Sequence, residues 1–116
     1  MPVSSGAFDP GDILLSETAV GQDILLLITG GVRHIGAAST AYAGENGVSA
    51  TTSAVPGHKE HTISESVAVK VAEALNRTVT VVMGIHYDDL SKEQIARVVE
   101  IVERKVEQYL ADKLKK

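Results

Sequence analysis

The sequence predicts an α+β domain, an α/β two-layer arrangement of a mixed, mainly antiparallel sheet with helices packed on it, in the order β-β-β-β-α-β-α. Three observations carry this expectation. Ile24-Leu25-Leu26-Leu27-Ile28 and the stretch 78–83 are short apolar runs, the pattern of central strands covered on both faces. Residues 35–55 are small and β-compatible, and Gly44-Glu45-Asn46-Gly47 divides them with an Asn-Gly turn signal. Two later segments repeat apolar residues at helical spacing behind capping-box signatures.

In chain order, residues 12–20 read as a first strand, and Gly21-Gln22 is short enough for a hairpin turn. The apolar run 23–29 is flanked by Gly21, Gly30 and Gly31, which favours strand over a short buried helix. Residues 35–43 and 48–55 follow as two more strands. In the second of these Ser49, Thr51 and Ser53 alternate with Val48, Ala50, Thr52 and Ala54, so one face carries only hydroxyls. Pro56-Gly57 ends it. Thr62-Ile63-Ser64-Glu65 has capping-box spacing, and Ile63, Val67, Val71, Ala74 and Leu75 form an apolar stripe ending near Arg77. Residues 78–83 make a fifth, β-branched strand. Ser91-Lys92-Glu93-Gln94 caps a long amphipathic helix through Ile95, Val98, Val102, Val106 and Leu110. Residues 1–11, broken by Pro2 and Pro10, are expected to be a flexible N-terminal segment, and residues 12–116 a single α/β domain.

With 116 residues, 44% of them apolar, the chain can bury one core. Its net charge of −4 and lack of a basic cluster beyond Lys113, Lys115 and Lys116 argue against nucleic-acid binding. The absence of cysteine excludes disulfides, thiolate metal sites and cysteine nucleophiles. No run approaches signal-peptide or membrane-span character, so a soluble, cytoplasmic protein is expected. One phenylalanine, three tyrosines and no tryptophan leave the core to Ala, Val, Leu and Ile.

All four histidines fall in three glycine-bearing segments that follow strands: Gly30-Gly31-Val32-Arg33-His34-Ile35-Gly36, Pro56-Gly57-His58-Lys59-Glu60-His61 and Gly84-Ile85-His86-Tyr87-Asp88-Asp89. If the second, fourth and fifth strands run the same way, as the turns and the helical crossover imply, these loops share one edge of the sheet. Strand-end loops are where a rigid scaffold presents binding groups to solvent. An anion site is the first reading. Gly30 and Gly31 offer backbone amides, Arg33 and His34 offer donors, and Lys59 precedes a helix N-terminus. A metal site built from His34, His58, His61 and His86 is the alternative, although the protease signature His-Glu-x-x-His is absent. Plainer roles stand beside both. His34 and His86 fix their loops by bonding backbone, Asp88 or Asp89 tightens a turn, Glu60 is solvated, and Tyr87 either covers the pocket or packs on a helix. A Ser64-His61-Asp88 hydrolase lacks a nucleophile elbow.

With these three segments in this order, and Gly-Gly-x-x-His-Ile-Gly the most specific of them, the chain resembles the prenylated-flavin chaperone-like family, which includes the small D subunit associated with gallate decarboxylase. The likeness spans about residues 12–105. It implies a non-catalytic accessory protein that binds prenylated FMN or FMN, or delivers it to the catalytic subunit of a UbiD-type aromatic acid decarboxylase. By motif position the cofactor-binding residues it implies are Gly30, Gly31, Arg33, His34, His58, Lys59 and His86, and Tyr87 is the one aromatic near the proposed edge. A small histidine-rich metal-dependent enzyme and a purely structural assembly module are the alternatives. Scarce aromatic cover for a flavin ring points to a homo-oligomer, with Ala37, Ala38, Ala41, Ala50 and Ala54 as interface candidates.

Overall fold

A computed structural model describes residues 8–56 and 60–115. A short 3-10 turn, Pro10–Asp12, leads into β1 (Leu14–Val20), β2 (Asp23–Gly31), β3 (Ala37–Gly44), β4 (Gly47–Ala54), α1 (Glu60–Leu75), β5 (Val79–His86) and α2 (Lys92–Lys113). The predicted element order and class are therefore the observed ones. Among the described residues, no helix is long and apolar enough to cross a membrane.

The strands form one sheet in the order β1-β2-β5-β3-β4. β1 and β2 are an antiparallel hairpin, as are β3 and β4, and β5 is inserted between the two hairpins. It pairs parallel with β2 and antiparallel with β3. β2, β4 and β5 accordingly run the same way, and the loops after them open at one edge. β2 and β3, consecutive in sequence, are not neighbours. Residues 32–36 must therefore pass over the end of β5, with Val32 N–H donating to the His86 carbonyl at one side and Gly36 N–H to the Met83 carbonyl at the other.

Both helices lie on one face. Ile24, Leu26 and Ile28 of β2, Val79, Val81 and Met83 of β5, and Ala41 of β3 turn inward against Val67, Ala68 and Val71 of α1 and Val98, Val102 and Val106 of α2. Burial of these aliphatic groups is the main stabilising term, about 1.5–3 kcal/mol for each fully buried large side chain. Small residues on β3 and β4 let α1 approach closely, and the approach is locked by hydroxyls. Ser39 Oγ lies 2.7 Å from Thr52 Oγ1 and 2.8 Å from Ser64 Oγ. Ala37 and Ala41 are thus covered by the chain's own helix (1% and 0% exposed), Ala50 packs against the same core, and only Ala38 of the five lies on the opposite face.

Three local expectations need correction. Covering on both faces does not hold for β2, because Leu27 is 41% exposed on the side away from the helices. α1 includes Glu60 and His61, so Thr62 is inside the helix and not its cap; Glu65 instead accepts a hydrogen bond from Thr52 Oγ1 at 2.6 Å. β3 begins at Ala37 and β5 continues to His86, which frees residues 32–36 for the crossing and carries β5 beneath it. The second capping box is present as expected: Ser91 Oγ accepts from Gln94 N–H, and Gln94 Oε1 from Ser91 N–H.

Candidate functional site

The crossing loop builds the site. Its geometry requires glycine at residue 84, where a Cβ would lie 1.6 Å from the His34 carbonyl oxygen. With no side chain there, the loop rests directly on β5 and brings the His34 and His86 rings to a centroid separation of 6.0 Å, edge to face. His34 Nδ1 is 3.1 Å from the Val32 carbonyl, and Nε2 is 3.1 Å from Glu60 Oε2. His86 Nε2 is 3.2 Å from Asp88 Oδ1 in a more exposed setting.

Glu60 is the residue whose role sequence reasoning missed. Far from solvated, it is 8% exposed. Its carboxylate occupies the space a side chain at Gly36 would fill, since a Cβ there would lie 2.6 Å from the carboxylate carbon. Glu60 Oε2 also accepts the Ile85 backbone N–H at 3.1 Å. β3 has not yet begun at that level, so the carboxylate takes the place of the missing strand's carbonyl. A buried carboxylate is tolerable only when paired and hydrogen-bonded, and Ile85 and His34 meet that need. The only sequence signal was its place within the second histidine segment, between Lys59 and His61.

Gly30 and Gly31 are parts of the scaffold here. Both lie in the β2–β5 ladder, opposite Ile85 and His86. Gly31 has a φ of +65°, and a Cβ would meet the His86 carbonyl oxygen at 2.1 Å. Tyr87 packs away from the open edge. It is 6% exposed, stacks edge to face on Phe8 at 5.2 Å, and donates its hydroxyl to the Asp9 carbonyl at 3.1 Å. Burial, with Asp12 and Asp9 nearby, pushes its phenol up to about 12. Residues 8–12 are thereby tied down across the end of the sheet.

Arg33 is exposed on the crossing loop. His58 and Lys59 lie outside the described residues. His61 lines an open groove along the outer surface of α1 with Thr62, Glu65, Ser66 and Lys70. Among the described residues no three His, Asp or Glu side chains converge to hold a metal ion. Ser64 bonds Ser39 and the His61 carbonyl, and Asp88 pairs with His86, so these residues form no hydrolytic triad. The loops also expose apolar groups: Val32 is 41%, Ile35 62% and Val55 42% exposed, with Val55 N–H bonded to the Gly36 carbonyl. The edge thus offers cationic and hydrogen-bonding groups beside an aliphatic surface.

Compared with known proteins, residues 9–115 match the prenylated flavin chaperone LpdD-like domain. The chain belongs to that family. It is 34% identical over 80 residues to Protein LpdD of Lactiplantibacillus plantarum, an alignment covering 66% of this chain and 59% of the relative. The chain therefore spans under two thirds of that relative's length. The family match takes in every described strand and both helices, together with all three histidine loops.

Proposed function

We propose that this protein binds prenylated FMN, or FMN itself, at the edge formed by the crossing loop and the end of β5, and hands the cofactor to a UbiD-type aromatic acid decarboxylase. The observation that carries the reading is the juxtaposition of His34 and His86 over Gly84, in a member of a prenylated-flavin chaperone family. Ligands of open α/β sheets bind outside the carboxyl ends of parallel strands, and β2 and β5 are this sheet's parallel pair. Arg33, His34 and His86 suit a phosphate, whose oxygens accept charge-assisted hydrogen bonds. Val32, Ile35 and Val55 supply the apolar cover that the shortage of aromatics seemed to deny a flavin ring. Glu60 orients His34 from below, and Gly30, Gly31 and Tyr87 support the edge from within. Lys59 and His58, beside Glu60 in sequence, complete the proposed set. Bound here, the flavin keeps its own chemistry for the decarboxylase, and the protein's task is to bind it, orient it and release it.

Isothermal titration of FMN into the purified protein is the direct test. We expect His34→Ala and Arg33→Ala each to weaken binding by about tenfold or more, the size expected for losing a charge-assisted hydrogen bond. The variants should keep the wild-type circular dichroism. Unchanged affinity in both would sink the assignment.

A further inference from the structure

We propose that the sheet face opposite the helices is the contact surface of a homodimer, each copy covering the other's open face. Reading across the five strands, residues Ser16, Leu27, Val82, Ala38 and Ser53 are register partners in one row. The next row is Thr18, Leu25, Thr80, Thr40 and Thr51. Neither row contains a charge. Within the described strands the carboxylates are Glu17, which turns to the helix side and meets Lys113, and Asp23, which shares the bare face only at its margin beside Val20; the two central rows between are uncharged. Leu14 is 47%, Leu27 41% and Tyr42 44% exposed, large apolar groups distributed over a face whose other outward side chains are mostly small or hydroxyl-bearing.

Two features favour a second copy over an unrelated partner. The first is polarity. The Ser16-to-Ser53 row reads hydroxyl, three apolar groups, hydroxyl from either end. A twofold axis along β5 would set Leu27 of one copy over the smaller Ala38 of the other, large against small, with no charge left facing its own image. A patch without charge also has nothing to steer a charged partner. At the centre the Thr40 and Thr80 hydroxyls already bond each other at 2.8 Å, so covering them strands no polar group. The second is size. Five strands spaced about 4.8 Å apart, with about six residues each rising about 3.3 Å, give about 480 Å² in plan for each copy. Side-chain relief raises the accessible area above the plan area, which brings the pair within reach of the roughly 1,200–2,000 Å² total of stable interfaces. Paired sheets of this kind pack about 10 Å apart, close enough for these side chains to interdigitate.

Sedimentation equilibrium of the full chain over a dilution series tests the proposal. The expected result is a mass of twice the chain for the wild type. Leu27→Glu should raise the dimer dissociation constant at least tenfold, and so should Thr51→Glu, at an exposed strand position where the fold tolerates the change. Ile95→Glu, on the exposed side of α2, should leave the dimer unchanged. A wild-type monomer overturns the proposal, as does a dimer indifferent to both face variants. A monomer that joins a decarboxylase subunit through this face, with Leu27→Glu abolishing the complex, overturns it as well.

Discussion

Where β3 stops and β5 continues, the Ile85 amide needs an acceptor that no strand supplies, and the Glu60 carboxylate provides it. Glu60→Ala should therefore cost about 1–3 kcal/mol of stability, the penalty for a buried donor left without its partner. Glu60→Gln retains an acceptor for Ile85 and should cost less, a ranking that urea denaturation of the two variants will test. Gly84→Ala forces the crossing loop off β5, because its methyl group would overlap the His34 carbonyl. We expect this variant to lose the proposed flavin binding as fully as His34→Ala, with a larger drop in the urea midpoint than His34→Ala shows, since displacing the loop removes the Glu60 partner and the loop's backbone contacts together. Tyr87 offers a pH signature. Its folded phenol is raised to about 12 from the ordinary value of 10.0, chiefly by burial. The neutral form is the one the fold stabilises, so this contribution is complete below pH 10.0 and is lost as the pH rises through about 12. An alkaline stability profile should fall across that window in the wild type and less steeply in Tyr87→Phe, the rest of the fall coming from Tyr109, whose phenol is also raised by burial and by its bond to Glu17.

At the scale of elements, α2 is fixed at both ends. Its capping box makes Ser91→Ala worth about 1 kcal/mol in thermal or urea unfolding. Its last turns reach β1 through Glu17, which accepts from Tyr109 at 2.6 Å and pairs with Lys113 at 2.8 Å. The Lys113 ammonium and the Tyr109 hydroxyl hold the Glu17 carboxyl below its ordinary range. That tether is present above the ordinary carboxylate range and is lost as the pH falls through the lowered folded value. Element identity was largely legible in the chain because glycine punctuation, β-branched runs and helical stripes act locally. The order of the strands was not. Nothing local tells β5 to enter between two hairpins; its partners lie tens of residues upstream. Local signals also misled where tertiary contacts outweighed them. The Thr62-to-Glu65 spacing fits a cap, yet Thr52 engages Glu65, and Glu60 draws the helix start toward the sheet edge. The apolar run of β2 reads as doubly covered, although Leu27 faces outward.

For the molecule as a whole, the histidine edge was legible in outline. Strand direction alone brought the first and third loops together, and His34 does meet His86. Its interior was not legible, since Glu60 reads as a surface residue until the gap at Gly36 is seen. The insertion of β5 has a further consequence, for the timing of assembly. Residues 32–36 leave the ribosome long before β5, and until β5 is in place the loop has nothing to cross and His34 no neighbour to face. Pairing of this kind forms late, because distant chain segments must first be brought together. The His34–His86 edge therefore cannot form before β5 is seated between the two hairpins. On the proposed reading, a copy in which β5 is not yet inserted lacks the His34–His86 edge, so flavin binding would report that β5 has taken its place between the hairpins.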